Sequence, residues 1–399
     1  MEFRLEEDEV YFREEEEYGI IYSKKNKSFF KIPALIAQEL RELKKQEKNT
    51  HNPNLSSLFD ISKLRRIELI MSTACNLKCK YCFASGGNYN QEISSIKLSV
   101  LDKVIDLIEA SKNIQEIVLF GGEPTLAEKE IEYLCNSLER KRIMIKYKTV
   151  TNLYQISDKM IDLINKYNII LTISLDGPEY INNKNRVARD GGNVYQRVLH
   201  NYKRLNTKGV KIKAIEATYT LSHKEAGITK EKLKESFNQV FEVEDIYIVD
   251  DLNEKKSDLY RESDSSFQKK ELEAHDRLFL ANYFLINRKK CGICDSGISS
   301  ICIDPQGYIY PCHLYINENH KYAMGNILVG KITMFEEIAK IREKLGCYTC
   351  SARYACNVCL ANVLINDLSL EDICQMTKDK NELLIYKMYK YLDTNNLQN

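Results

Sequence analysis

"IELIMSTACNLKCKYC", residues 67–82, begins as a short apolar run and ends in three cysteines, Cys75, Cys79 and Cys82, spaced C-x3-C-x2-C. An apolar run of this length with a polar, cysteine-bearing loop behind it reads as a buried strand of a parallel sheet. The pattern recurs at 116–121, 145–150, 169–175, 211–219 and 245–250, with helical periodicity between the runs at 98–111, 127–140, 157–167, 193–208 and 229–238. Such alternation predicts an α/β domain over 66–250. Six units fall short of the eight that close a full barrel, so the expected form is an open, partial (β/α)6 TIM-like barrel, with a doubly wound sheet as the alternative. In either form, the loops at the C-terminal strand ends gather the functional groups. The three cysteines sit on the first of them.

The totals narrow the classes. Among 399 residues, 58 Lys+Arg balance 57 Asp+Glu, leaving +1, so no general basic field marks a nucleic-acid binder. No apolar stretch approaches the roughly 18–20 residues of a membrane span, and the acidic start "MEFRLEEDEVYF" is the wrong opening for a secretory signal. A reducing cytoplasm is therefore expected, where 13 cysteines read as metal ligands and core residues rather than disulfides. Three lie at 75–82 and nine at 291–374, while Cys135 stands alone in a helical pattern and reads as core filling.

Outside the barrel, residues 1–65 read as two short strands around the polar turn at 24–27, a helix starting near Pro33, and a linker, forming a small α+β element. Residues 251–268 are polar and aperiodic, 269–290 return to helix, 291–385 form a cysteine-rich region, and 386–399 are a tail that ends the last helical pattern.

Three thiols make a poor finished site, because zinc and [4Fe–4S] centres take four ligands. Three thiolates can instead hold three irons of a cubane and leave the fourth for a small molecule. With Tyr81 before its last cysteine, "CNLKCKYC" resembles the radical S-adenosylmethionine (SAM) enzymes. The resemblance implies that the amino and carboxylate groups of SAM chelate the open iron, and that cleavage of SAM yields a hydrogen-abstracting 5′-deoxyadenosyl radical. It further implies roles for flanking residues. "FGGEPTL" matches the family's GGEP motif, with Gly121 and Gly122 allowing close approach, Glu123 meeting the SAM ammonium and Pro124 stiffening the turn. "TISLDGP" would bring Ser174 to SAM and Asp176 to shape the site, Arg186 would pair with the SAM carboxylate, and Asn152 ends the third strand beside them. An ordinary turn at Asp176–Gly177 and a solvated Arg186 are the plain alternatives.

The second cysteine region resembles the SPASM extension of radical SAM peptide-modifying enzymes. Cys294 and Cys312 bracket Gly307, and Cys347, Cys350 and Cys356 keep the family's spacing, whereas Cys359 follows after two residues instead of three. The resemblance implies one auxiliary [4Fe–4S] cluster on Cys294, Cys302, Cys312 and Cys359, with Cys291 competing for the place of Cys302. The other would use Cys347, Cys350, Cys356 and Cys374. With the SAM-binding cluster, that makes three. Zinc is the alternative for the paired cysteines.

SPASM enzymes act mostly on proteins and ribosomal peptides. The expected reaction is an intramolecular thioether crosslink in a cysteine-containing precursor peptide, of the sactipeptide/ranthipeptide class. Alternatives are sulfatase maturation of Cys or Ser to formylglycine, carbon–carbon cyclisation and, outside enzymes, an electron-transfer scaffold. Two features count against the sulfatase reading: 74 residues precede Cys75, and His313 follows the "YPC" cysteine where those relatives carry an aspartate. His313 is a candidate proton acceptor or a hydrogen-bond donor beside a cluster. Residues 1–65 resemble an abbreviated winged-helix-like element that grips a leader by strand addition. Flavodoxin or ferredoxin is the expected reductant, and neither nucleic acid nor membrane is an expected partner.

Overall fold

The computed structural model describes residues 10–14, 18–23, 28–36, 38, 60–251, 294, 296–317, 319–333 and a discontinuous set between 340 and 378. The segment expected to be polar beyond Asp251, the helix at 269–290, Cys291, most of the helix after Pro33 and the terminal helix lie outside the described residues. The chain divides into two compact units: 57–259 with 295–335, and 1–56 with 260–294 and 336–399.

The first unit is built on strands β4 (Arg66–Ser72), β5 (Glu116–Gly121), β6 (Lys146–Thr151), β7 (Ile170–Ser174), β8 (Ile212–Tyr219) and β9 (Asp245–Asp250). All six are parallel and lie side by side in chain order. A doubly wound sheet reverses its order at a switch point. This one never does, so the partial barrel is the fold. Helices α1 (Leu98–Ala110), α2 (Glu128–Arg140), α3 (Asp158–Lys166), α4 (Glu179–Asn185), α5 (Val194–Thr207), α6 (Leu221–Glu225) and α7 (Lys230–Asn238) follow the strands.

Period-two burial sets the two faces of the sheet. Ile67, Leu69 and Met71 of β4, Ile117 and Leu119 of β5, and Leu171 and Ile173 of β7 join one core with Val100, Leu101, Val104, Ile105 and Ile108 of α1. The spacing on α1 is that of a single helical face. Glu68, Ile70 and Ser72 of β4, Phe120 of β5 and Ser174 of β7 alternate with that set and fall on the other face. Side-chain caps fix the helix starts. Ser157 accepts from the Met160 amide, Asn193 from Gln196 and Thr229 from Lys232.

The sheet continues past β4. Strand β10 (Ser300–Ile303) pairs parallel with it, setting Cys302 opposite Glu68, and β11 (Tyr308–Tyr310), β12 (Gly325–Asn326) and β13 (Lys331–Ile332) follow antiparallel. Residues 295–335 thus extend the barrel's own sheet, although by composition they belong with the cysteine-rich region.

In the second unit, β1 (Val10–Glu14), β2 (Tyr18–Ser23) and β3 (Ser28–Pro33) form an antiparallel sheet in that order, one strand more than the sequence pattern shows. Helix α8 (Leu360–Ile365) buries Leu360, Ala361 and Val363. Among the described residues, no helix is long and apolar enough to cross a membrane.

Candidate active site at the mouth of the barrel

The loop that carries Cys75, Cys79 and Cys82 is pinned at both ends. At its base the Thr73 hydroxyl donates to the Glu92 carbonyl at 3.0 Å and accepts from the Ser94 amide at 2.8 Å. Along its length it runs as a short ribbon against 185–189: Leu77 bridges Ala188, and the Lys78 and Lys80 amides donate to the Val187 and Asn185 carbonyls at 2.7 and 3.0 Å. Arg189 completes the attachment, donating from Nε to the Cys75 carbonyl at 2.9 Å and from Nη2 to the Gly86 carbonyl at 3.1 Å. Sequence reasoning missed Arg189. Its only signal was a second arginine three residues after Arg186, on the stretch that follows the fourth strand.

Three glycines form the floor. A Cβ on Gly122 would lie 2.4 Å from the Ala74 carbonyl oxygen, one on Gly121 (φ +140°) 2.3 Å from that of Ser72, and one on Gly87 2.6 Å from the Cys75 Cβ. The glycines therefore let the GGEP turn touch the cysteine loop backbone to backbone. Pro124 is buried at the start of the short turn that follows.

Glu123 braces the turn from within the protein. It is buried, and its Oε1 accepts from the Thr125 amide and hydroxyl (3.2 and 2.7 Å) and the Thr151 hydroxyl (2.6 Å), while Oε2 accepts from the Asn152 amide (2.8 Å). Burial pushes its carboxyl above the ordinary range, and these donors pull against that rise. The carboxylate ties the ends of β5 and β6 together, with its lone pairs mostly committed. Asn152 turns its amide to Asn76 Oδ1 at 2.8 Å and lies 3.7 Å from Cys75 Sγ.

Arg186 is likewise committed inside the protein. Its Nη2 donates to Asp176 Oδ1 at 2.9 Å, both residues are buried, and its guanidinium lies 5.5 Å from the Tyr81 ring centre. Asp176 also accepts from the Tyr81 hydroxyl at 2.7 Å and the Thr218 amide at 3.1 Å. A buried guanidinium needs a counter-charge, and Asp176 supplies it: burial works against the Arg186 cation, yet the carboxylate holds its pKa above the ordinary value. The pair clamps Tyr81, and with it the cysteine loop, to β7 and β8. Ser174 ends β7, half-buried on the face away from the helices.

His313 stands at the same mouth. Its Nδ1 lies 2.9 and 3.0 Å from the Glu68 carboxylate oxygens, and its ring packs against Phe120 (centroids 4.7 Å apart) and Phe83 (5.2 Å). Burial would lower the imidazole pKa, but Glu68 more than offsets it and raises it; Glu68 is lowered in turn despite its own burial.

Burial lifts the Cys75 and Cys79 thiols to about 12 and about 11. Metal must therefore displace protons to bind. Among the described residues, no three Cys, His, Asp or Glu side chains are placed to hold a single ion. A cubane asks for something else, one thiolate per corner. The loop meets that demand with three cysteines, a floor without Cβ atoms, and the buried Asn76 Nδ2, which lacks a partner among the described residues.

The profile of the radical SAM superfamily matches residues 69–237, spanning β4 to α7. Residues 69–237 are a radical SAM domain. Among its relatives, the cysteine-type anaerobic sulfatase-maturating enzyme of Clostridium novyi is 26% identical over 63% of this chain and 73% of that protein. The radical SAM cyclopropyl synthase TigE of Paramaledivibacter caminithermalis is 29% identical, but over only 32% of this chain and 30% of that protein. In fold, the chain is similar to anSMEcpe with bound AdoMet (TM-score 0.58, 21% identity, 83% of this chain and 99% of that one). It is also similar to SuiB of Streptococcus suis bound to S-adenosylmethionine (0.54, 18%, 92% and 99%).

The remaining cysteines form two groups. Cys302 is fully buried beside Glu68 and Cys312, and burial drives its thiol well above the ordinary value. In the other unit, Cys347 is raised to about 11 by burial and next by its neighbours Cys374, Cys350 and Cys356. Cys294 is exposed and its carbonyl accepts from Arg342, while Cys359 is half-buried just before α8.

Proposed function

We propose that this radical SAM enzyme oxidises a residue of a peptide or protein substrate, and that the substrate residue is a cysteine converted towards formylglycine. One observation carries the reading: an imidazole–carboxylate pair, His313 and Glu68, lies between the loop of Cys75, Cys79 and Cys82 and the strand of Cys302. Its place at that mouth suits a group that takes up the substrate's thiol proton. The breadth of the match to a sulfatase-maturating enzyme supports the same chemistry. Cys75, Cys79 and Cys82 would hold the cluster that receives SAM. Auxiliary clusters would use Cys347, Cys350, Cys356 and Cys374, and Cys302 and Cys312 with Cys294 and Cys359. Bound there, these groups supply a hydrogen-abstracting radical and an acceptor for the electron left on the substrate. The chain's part is positional: Asn152 and Asn76 line the SAM side, Arg186 and Asp176 fix Tyr81, and Phe83 and Phe120 keep the imidazole's surroundings apolar.

A second reading, thioether formation in a precursor peptide, draws on the sheet of β1–β3. There β3 is an edge strand with an exposed Phe30, a suitable rail for an extended leader. A similar fold has been solved with a precursor peptide, SuiB with SuiA. In both readings flavodoxin or ferredoxin supplies electrons in a reducing cytoplasm.

The readings separate when anaerobically reconstituted enzyme, reduced with SAM, is offered a cysteine-bearing sulfatase peptide and a cysteine-rich precursor peptide. An aldehyde on the first, trapped by a hydrazide, is the expected result. Loss of a hydrogen pair from the second, with its thiol no longer alkylatable, would replace it with the thioether reading. Change in neither peptide would overturn both.

A further inference from the structure

Tyr89 lies on the loop after the cysteine triad, and three features set it apart. It is 4% exposed. Its hydroxyl oxygen is buried with no hydrogen-bond partner among the described residues. Its backbone is left-handed, φ +54°, followed by Asn90 at +57°. Asparagine tolerates that region, whereas a bulky aromatic residue pays roughly 1–2 kcal/mol for it. A strained backbone that delivers a polar group into a buried place points to a task for that group.

The surroundings show what the hydroxyl meets. Its loop packs on Cys75 through Gly87 on one side. On the other, Gln91 donates to the Asn317 carbonyl at 3.1 Å, and Gln306 donates to Ser94 at 3.0 Å. The phenol thus stands between the two cysteine sets of this unit. Burial lifts its hydroxyl pKa well above the ordinary value, and Cys302, Glu68, Cys82 and Cys75 add to that rise. Its ring is steadied edge-on by Phe83, centroids 6.1 Å apart. An unsatisfied buried hydroxyl costs about 1–3 kcal/mol, and native proteins pair nearly all such groups. Around this one, the acceptors are the Glu68 carboxylate, both of whose oxygens already face His313 Nδ1, and the cysteine sulfurs.

We propose that the Tyr89 hydroxyl donates a hydrogen bond to a sulfur of the cluster held by Cys302 and Cys312, and thereby sets that cluster's reduction potential. Hydrogen bonds to cluster sulfurs stabilise the reduced, more negative state. The inference rests on the reading that these cysteines bind a cluster.

Tyr89→Phe tests it in the reconstituted full-length enzyme, because phenylalanine keeps the ring and its packing. With iron and sulfide content unchanged, potentiometric EPR should show one cluster moved to a more negative midpoint. ENDOR should lose one exchangeable-proton coupling that the parent protein shows on transfer to deuterated water. In a Cys302→Ala/Cys312→Ala background, Tyr89→Phe should shift nothing further. Unchanged midpoints with clusters intact would overturn the proposal, and a shift that persists in that background would overturn it by assigning Tyr89 to the SAM side. Iron content of the parent no higher than that of the Cys302→Ala/Cys312→Ala protein would instead sink the cluster reading itself, and this inference with it.

Discussion

Asp176 serves three donors at once, Arg186, Tyr81 and the Thr218 amide, and is fully buried. Asp176→Asn keeps the shape but strands the Arg186 charge, and breaking a buried pair this way costs about 3–5 kcal/mol. The urea midpoint should fall accordingly, and the cysteine loop, losing its Tyr81 anchor, should load iron more slowly. Cys79→Ala should lower iron content by about a third and abolish 5′-deoxyadenosine formation, if each of three clusters takes its own cysteines. Asp190 offers a pH test. The Tyr154 hydroxyl and the Gly192 amide hold its carboxyl below the ordinary 3.8. A depressed carboxyl stabilises fully above about pH 4 and loses that contribution as pH falls through its folded value, so Asp190→Asn should flatten acid unfolding followed by circular dichroism. At this scale the cysteines were legible because their spacing is local. The Asp176–Arg186 clamp was not: Asp176 was expected to shape the site and Arg186 to meet SAM, and nothing local shows that residues ten positions apart fold back to pair. Arg189 was hidden for the same reason, its partners Cys75 and Gly86 lying about a hundred positions away.

Strand ends and glycines decide how elements meet. A methyl on Gly122 would press on the Ala74 carbonyl, a backbone atom that cannot swing aside. Gly122→Ala should therefore cost roughly 1–3 kcal/mol and weaken SAM binding by calorimetry, whereas Gly209→Ala, with open space at its Cβ, bears only the strain of its φ of +77°. The six barrel strands were readable to within a residue or so, since runs buried on both faces announce themselves: β4 was expected at 67–72 and spans Arg66–Ser72. Strands β10–β13 were not. They hold two to four residues each, too few for a period, and β10 pairs with a strand more than two hundred positions earlier. Helices α4 and α6 were missed for shortness as well.

Across the whole chain, the residues of 1–56 and the barrel fall in different units. Removing 1–56 should leave SAM cleavage in the absence of peptide unchanged. If the precursor-peptide reading holds, it should raise KM for a leader-bearing peptide far more than for the same peptide without its leader. The sequence alone set 291–385 apart as one cysteine-rich region and did not show that 295–335 would join the barrel's sheet. That join has a consequence for solubility. Four of the seven residues of β4, Ile67, Leu69, Ile70 and Met71, are apolar and fully buried, and β10 covers the side that β5 does not. Without β10, β4 would be a long, flat, greasy edge of the kind that recruits other chains. A fragment ending at residue 251 should accordingly self-associate in light scattering while the full chain does not. The cysteine strand is then also the barrel's guard against sticking to its own copies.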